Sequence, residues 1–107
     1  MELRIYTEAA GRAPFNEWLA DLKDAKARAI IRARLLKVQM GNFGDCKPLR
    51  DGVQELRIDY GPGYRAYLSR QGPVLVLLLC GSDKRGQDRA IKQAIDYLND
   101  WKQRGKP

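Results

Sequence analysis

The sequence predicts an α+β fold in which a small, mainly antiparallel sheet packs against helices. Three observations carry that prediction. Short segments at 2–6, 53–60 and 64–70 alternate apolar with polar residues at the period of a strand. Stripes beginning at Phe15, Ala27 and Ile91 recur at the three- and four-residue spacing of helices. Glycine and proline cluster between these segments, where the chain must turn. The predicted order is β-α-α-β-β-β-α, with residues 1–107 as one domain.

The elements follow in order. "ELRIY" (2–6) places Leu3 and Ile5 among polar neighbours and reads as a strand. Pro14 suits the first turn of a helix because its missing N–H would have no partner there. Phe15, Trp18, Leu19 and Leu22 then form one stripe, ending near Lys23. Asp24 can cap a second helix with Ala27, Ile30, Ile31, Leu35 and Val38 on its buried side. Its other side carries Lys26, Arg28, Arg32, Arg34 and Lys37, and Gly41 stops it. The two helices make an αα-hairpin. Residues 43–52 have the composition of a loop.

In 53–60, Leu56 and Ile58 point one way and Glu55, Arg57 and Asp59 the other. After the turn "YGPGY", Tyr64, Ala66 and Leu68 share one face, while Arg65, Tyr67 and Ser69 share the opposite one. "VLVLLLC" (74–80) is apolar on both faces and should lie inside the sheet. "GSDKRGQ" reads as a loop before a last helix with Ile91, Ala94, Ile95, Leu98 and Trp101 in its stripe. The three later strands should form a meander, with the first strand at an edge and the helices on one face. The other face should then be open, holding Glu55, Arg57, Arg65 and Tyr67.

Composition bounds the chemistry. The formal charge is +7, from 20 Lys and Arg against 13 Asp and Glu, a balance that favours a polyanionic partner. The absence of histidine removes an imidazole base, a histidine metal ligand and a Ser-His-Asp relay. Two cysteines, Cys46 and Cys80, form no metal motif and suit a reducing cytoplasm. No cofactor or metal is expected. The longest apolar run is far shorter than the roughly 20 residues of a membrane helix, so no membrane role is expected.

The candidate site is cationic. Arg57 and Arg65 offer planar, permanently charged forks to phosphate oxygens, and Glu55 can pair with one of them. Strands 53–60 and 74–80 should run in the same direction. Lys84, with Arg85 beside it, then lies at the end where 58–64 turn, near Arg65. Lys47 and Arg50 fall at the opposite end.

"ELRIDYGPGYRAY" and "LLLCGSDKRGQDRAI", with "FNEWLADLKD" and "GNFGDCKPL", resemble the addiction-module killer proteins of the HigB-like branch of the RelE/ParE toxin superfamily. The resemblance covers nearly the whole chain. It implies a RelE-like fold and a toxin of a type II toxin-antitoxin system. It also implies a cognate antitoxin, usually a helix-turn-helix protein, through which alone operator DNA would be bound. A RelE-like activity is cleavage of mRNA in the ribosomal A site, which makes mRNA and the ribosome the expected partners. The family's recurring cations fall here on Arg57, Arg65 and Lys84, with Arg85 adjacent. Where some members use a C-terminal tyrosine or histidine, this chain has no histidine, and Tyr97 lies well into the last helix. Tyr67 is then the candidate acid, and Glu55 or a lysine the candidate base. Lys47, Arg50 and Arg85 are candidate RNA contacts. The same superfamily includes ParE-like inhibitors of DNA gyrase, which need no such cluster, and inactive members that only bind antitoxin.

Overall fold

A computed structural model describes residues 1–107. Its elements are β1 (Glu2–Ile5), α1 (Pro14–Asp21), α2 (Ala25–Gln39), β2 (Cys46–Pro48), β3 (Gln54–Ile58), β4 (Tyr64–Gln71), β5 (Leu75–Ser82) and α3 (Gln87–Gln103). The fold is α+β, with three helices and a five-stranded mixed sheet in the order β1-β5-β4-β3-β2. β1 takes an edge parallel to β5, and all other neighbours are antiparallel. No helix is long and apolar enough to cross a membrane.

The helical hairpin forms as its sequence requires. Pro14 opens α1. The Asp24 carboxylate caps α2 by accepting from the N–H groups of Lys26 (2.9 Å) and Ala27 (3.2 Å). Those bonds hold its carboxyl below the usual range, the Ala27 bond contributing most. Phe15 and Leu19 of α1 and Ala27, Ile31, Leu35 and Val38 of α2 bury against Leu56, Ile58, Tyr64, Ala66 and Leu68. This is the sheet face that alternation assigned to the helices.

The opposite face is not open. α3 covers it, and Ala90, Ala94, Leu98 and Trp101 pack on Tyr6, Val53, Tyr67, Leu77, Leu79 and Cys80. The sheet is therefore sandwiched between α1 and α2 on one side and α3 on the other. The expectation of one helical layer fails because β5 is apolar on both faces, and both must be removed from water. A bulge helps this: Tyr67 pairs with Cys80 and Leu68 with Leu78, so Leu79 is the extra residue. Leu79 and Cys80 both join the cluster under α3.

Two boundaries also differ from expectation. β5 continues through Gly81 to Ser82, where a loop was expected. Residues 46–48, expected as loop, form the edge strand β2 on β3, with Lys47 opposite Glu55. Three residues are too few to show a period of two, and Pro48 is tolerated because an edge strand has one row of unbonded groups.

Candidate functional site

The register of β3 and β4 sets Arg57 directly opposite Arg65 and Glu55 opposite Tyr67. Residues directly opposite in an antiparallel pair share a face, so two guanidiniums lie side by side. Like charges so placed repel unless compensated. The compensation is Glu55, which is fully buried. Arg57 Nε donates to Glu55 Oε1 at 3.0 Å. Arg65 Nε lies 3.6 Å from Glu55 Oε2, and Gln87 Nε2 donates to the same oxygen at 2.7 Å. One carboxylate thus serves two arginines and a residue of α3. Against the two arginines stand Glu55 and, lining the cleft in front of them, Asp45 and Asp59, so an anion there would depend also on the cation of Lys84 beside the turn.

The two arginines differ in exposure. The Arg57 side chain is 40% exposed and that of Arg65 11%. Arg65 Nη1 donates to the Gly63 carbonyl at 2.7 Å, which anchors the guanidinium to the turn. Gly63 has φ +82°, so the turn depends on a residue free to adopt that value. Arg65 Nε is buried and has no hydrogen-bond partner. In front of the pair is a cleft of about 230 Å³, lined by Arg57, Arg65, Ile58, Gly63, Tyr64 and the exposed carboxylates Asp45 and Asp59.

Lys84 approaches this end of the sheet. A methyl group at Gly63 would meet Arg65 Nη1 at 3.3 Å and Lys84 Cβ at 3.7 Å, so the two side chains flank one glycine. Lys84 and Arg85 are both exposed. Lys47 is exposed on β2, and Arg50 lines a separate cleft at the far end of β3. The structure therefore gathers Glu55, Arg57, Arg65 and Lys84, and leaves Arg50 outside.

Glu55 and Tyr67 do not stand where an open face would put them. Both are fully buried beneath α3. The Tyr67 hydroxyl lies 3.0 Å from Ser82 Oγ, and burial above all pushes its pKa up to about 12. Tyr67 touches no solvent and does not line the cleft. Glu55 is likewise spent on its three partners, a positioning group for the arginines.

Two further residues support the pair, Gln87 and Arg34. Gln87 opens α3, and nothing local marks it as a partner of Glu55. The apolar stripe predicts Arg34 on the other side of α2, away from the core. It instead donates through Nη1 to the Arg57 carbonyl and through Nη2 to the Phe43 carbonyl at 2.9 Å, tying α2 to β3 below the cleft. Its spacing, three residues after Ile31 and four before Val38, was the available signal.

No protein-family model matches the chain. An uncharacterized protein of Haemophilus influenzae is 58% identical over 80 residues, which cover 75% of this chain and 81% of that protein.

Proposed function

We propose that this chain, which belongs to one family with the Haemophilus influenzae protein, is the toxin of a type II toxin-antitoxin system that cleaves mRNA on the ribosome. The observation that carries the reading is the cross-strand pair Arg57–Arg65, held on one buried carboxylate with Lys84 flanking the same turn. Such a pair presents forked donors to the non-bridging oxygens of a phosphodiester. The motif resemblance and the helical hairpin followed by a meander and a last helix support a RelE-like architecture, here with one further edge strand.

In the proposed reaction the RNA 2′-OH gives up its proton and attacks the adjacent phosphorus. The bond from phosphorus to the 5′ oxygen breaks with its electron pair on that oxygen, which takes up a proton. The products are a cyclic 2′,3′-phosphate and a free 5′-OH. Arg57 and Arg65 stabilise the charge on the crowded phosphate. Glu55 positions both arginines. Proton transfer falls to exposed groups of the rim, Lys84 foremost, and to the ribosome. The expected partner is an antitoxin with acidic groups facing these cations, and the setting is the cytoplasm.

The test is brief expression of the wild type and of Arg65→Ala in bacteria, with mRNA 5′ ends mapped by primer extension. New ends should depend on translation and fall by about 10²-fold or more in the variant, the scale of losing one charge-stabilising donor. Undiminished cleavage and growth arrest in Arg65→Ala would sink the assignment. The burial of Glu55 and Tyr67 favours a second reading, a ParE-like toxin that acts on DNA gyrase by binding alone. Lost supercoiling without new mRNA ends would select it, and harmless expression would select an inactive member.

A further inference from the structure

α2 carries a second apolar stripe, on the side turned away from the sheet. Its inner stripe, Ala27, Ile31, Leu35 and Val38, is buried. Ala29, Ala33, Leu36 and Met40 follow at spacings of four, three and four, the period of one helical face, and all four are exposed. Met40 lies nine residues after Ile31, which at about 3.6 residues per turn puts it on the opposite side. It stands just past the last helical residue, yet its N–H still donates to the Leu36 carbonyl at 3.2 Å and keeps it on that face. The fold leaves three large apolar side chains exposed, and Leu36 (60%) and Met40 (83%) are two of them. Single exposed apolar residues need no explanation. Two of them one turn apart, on a helix whose other face already fills the core, depart from the usual single apolar face of a surface helix.

Charge decides what this face accepts. α2 contains no aspartate or glutamate. Of its five cations, Arg28 donates to the Leu22 carbonyl and Arg34 to those of Arg57 and Phe43. Lys26, Arg32 and Lys37 are exposed and enter none of the five ion pairs of the molecule. By the same helical count, Arg32 lies on one flank of the stripe and Lys26 and Lys37 on the other. The Asp24 carboxylate, at the start of the helix, is taken up by the cap and by the Tyr60 hydroxyl, which donates to it at 3.1 Å. The face is therefore apolar along its middle and cationic on both sides.

Three occupants come into question. A second copy of this chain would set Lys26, Arg32 and Lys37 against the same cations, on molecules of charge +7 each. A lipid surface would meet the cations, but an interfacial helix needs a broad, bulky apolar face with aromatic anchors, and here the middle of the stripe is alanine. A partner helix with its own apolar stripe and Asp or Glu on its flanks matches every feature. The alanines let its backbone approach, Leu36 and Met40 insert between its side chains, and its carboxylates face the three cations.

We propose that the outer face of α2 is a docking surface for an acidic amphipathic helix of a partner protein, seated over Ala29, Ala33, Leu36 and Met40. None of these residues lines the Arg57–Arg65 cleft. The docking surface therefore does not rest on the nuclease reading, and it is a contact separate from acidic groups facing the arginine pair.

The test is selection from a displayed library of helical peptides with a fixed Leu/Ala stripe and flanks randomised among Asp, Glu, Lys, Gln and Ser. Wild type and Leu36→Gln/Met40→Gln serve as the two targets. Peptides kept by the wild type alone should carry Asp or Glu on the flanks. The best of them, synthesised and measured by fluorescence anisotropy, should bind Leu36→Gln/Met40→Gln about tenfold or more weakly, the scale of losing one buried apolar side chain or more. Arg32→Gln/Lys37→Gln should bind it about fivefold more weakly, as for two surface ion pairs, and with less dependence on salt. Both variants replace only exposed side chains, so the fold is kept. A library with no peptide that distinguishes wild type from Leu36→Gln/Met40→Gln overturns the proposal, as does selection of basic or neutral flanks. Binding to phosphatidylserine vesicles that Leu36→Gln/Met40→Gln abolishes, or a wild-type dimer in sedimentation that the same variant dissociates, overturns it in favour of lipid or of a second copy. The mRNA ends mapped in cells report on cleavage alone, so failure here and failure of the nuclease assignment are told apart.

Discussion

Glu55 is the residue on which the Arg57–Arg65 pair depends. Buried between two guanidiniums, it balances charges that its own β-ladder forces together. Glu55→Gln keeps the shape and removes the charge, leaving Arg65 and its unpartnered Nε buried without compensation. We expect a loss of about 3 kcal/mol in urea unfolding, the low end for breaking a buried pair because Arg57 stays partly in water. A loss under about 0.5 kcal/mol, typical of a surface pair, would mean that the carboxylate does not organise the site. Period-two alternation already placed Glu55, Arg57, Arg65 and Tyr67 on one face. It could not tell whether that face was wet, since the answer lies in a helix some 30 residues further on.

Packing between elements makes one glycine indispensable. α1 lies against β5 with Trp18 directly on Gly81, where an added Cβ would come within 2.3 Å of the indole Cε3. Gly81→Ala should cost about 1–3 kcal/mol, the usual range for overpacking. Trp18→Leu in the same chain should recover part of that cost, because contacting residues are not additive. An unchanged urea midpoint for Gly81→Ala would contradict this seating of α1. In the sequence, Gly81 looked like the first residue of a loop. It is a strand residue whose missing side chain lets an aromatic ring rest on the backbone. The α2 start, by contrast, was legible, since an aspartate before an apolar stripe is a local signal that needs no tertiary partner.

At the scale of the whole molecule, the two covered faces make stability sensitive to alkali. Burial pushes the Tyr6, Tyr67 and Cys80 pKa values up to about 12. In the unfolded chain tyrosine titrates near 10 and cysteine near 8.5. Above those values the unfolded state releases protons that the folded state retains, so unfolding is favoured as pH rises. The stabilisation is complete below about pH 8.5 and is lost progressively up to about 12. Urea midpoints measured from pH 8 to 11 should fall steadily, and Tyr67→Phe should flatten part of the fall. A midpoint constant over that range would show that these groups are not shielded by α3.

By itself the sequence determined which residues form helices, which strands alternate, and which side chains share a strand face. Those are local periodicities, written in spacings of two and of three to four. It also determined a net charge of +7 and a chain without histidine. Only the tertiary structure decided that β2 exists and that Glu55 is a buried counter-ion. The same holds for Tyr67, which lies beyond reach of solvent, and for Arg34 and Gln87, which support the arginine pair. Each of these depends on a partner distant in the chain. A three-residue edge strand is made by the backbone of β3, and the covered face is made by α3. The apolar run on both faces of β5 was the one local trace of that second layer, since a strand with no polar side must be buried on both.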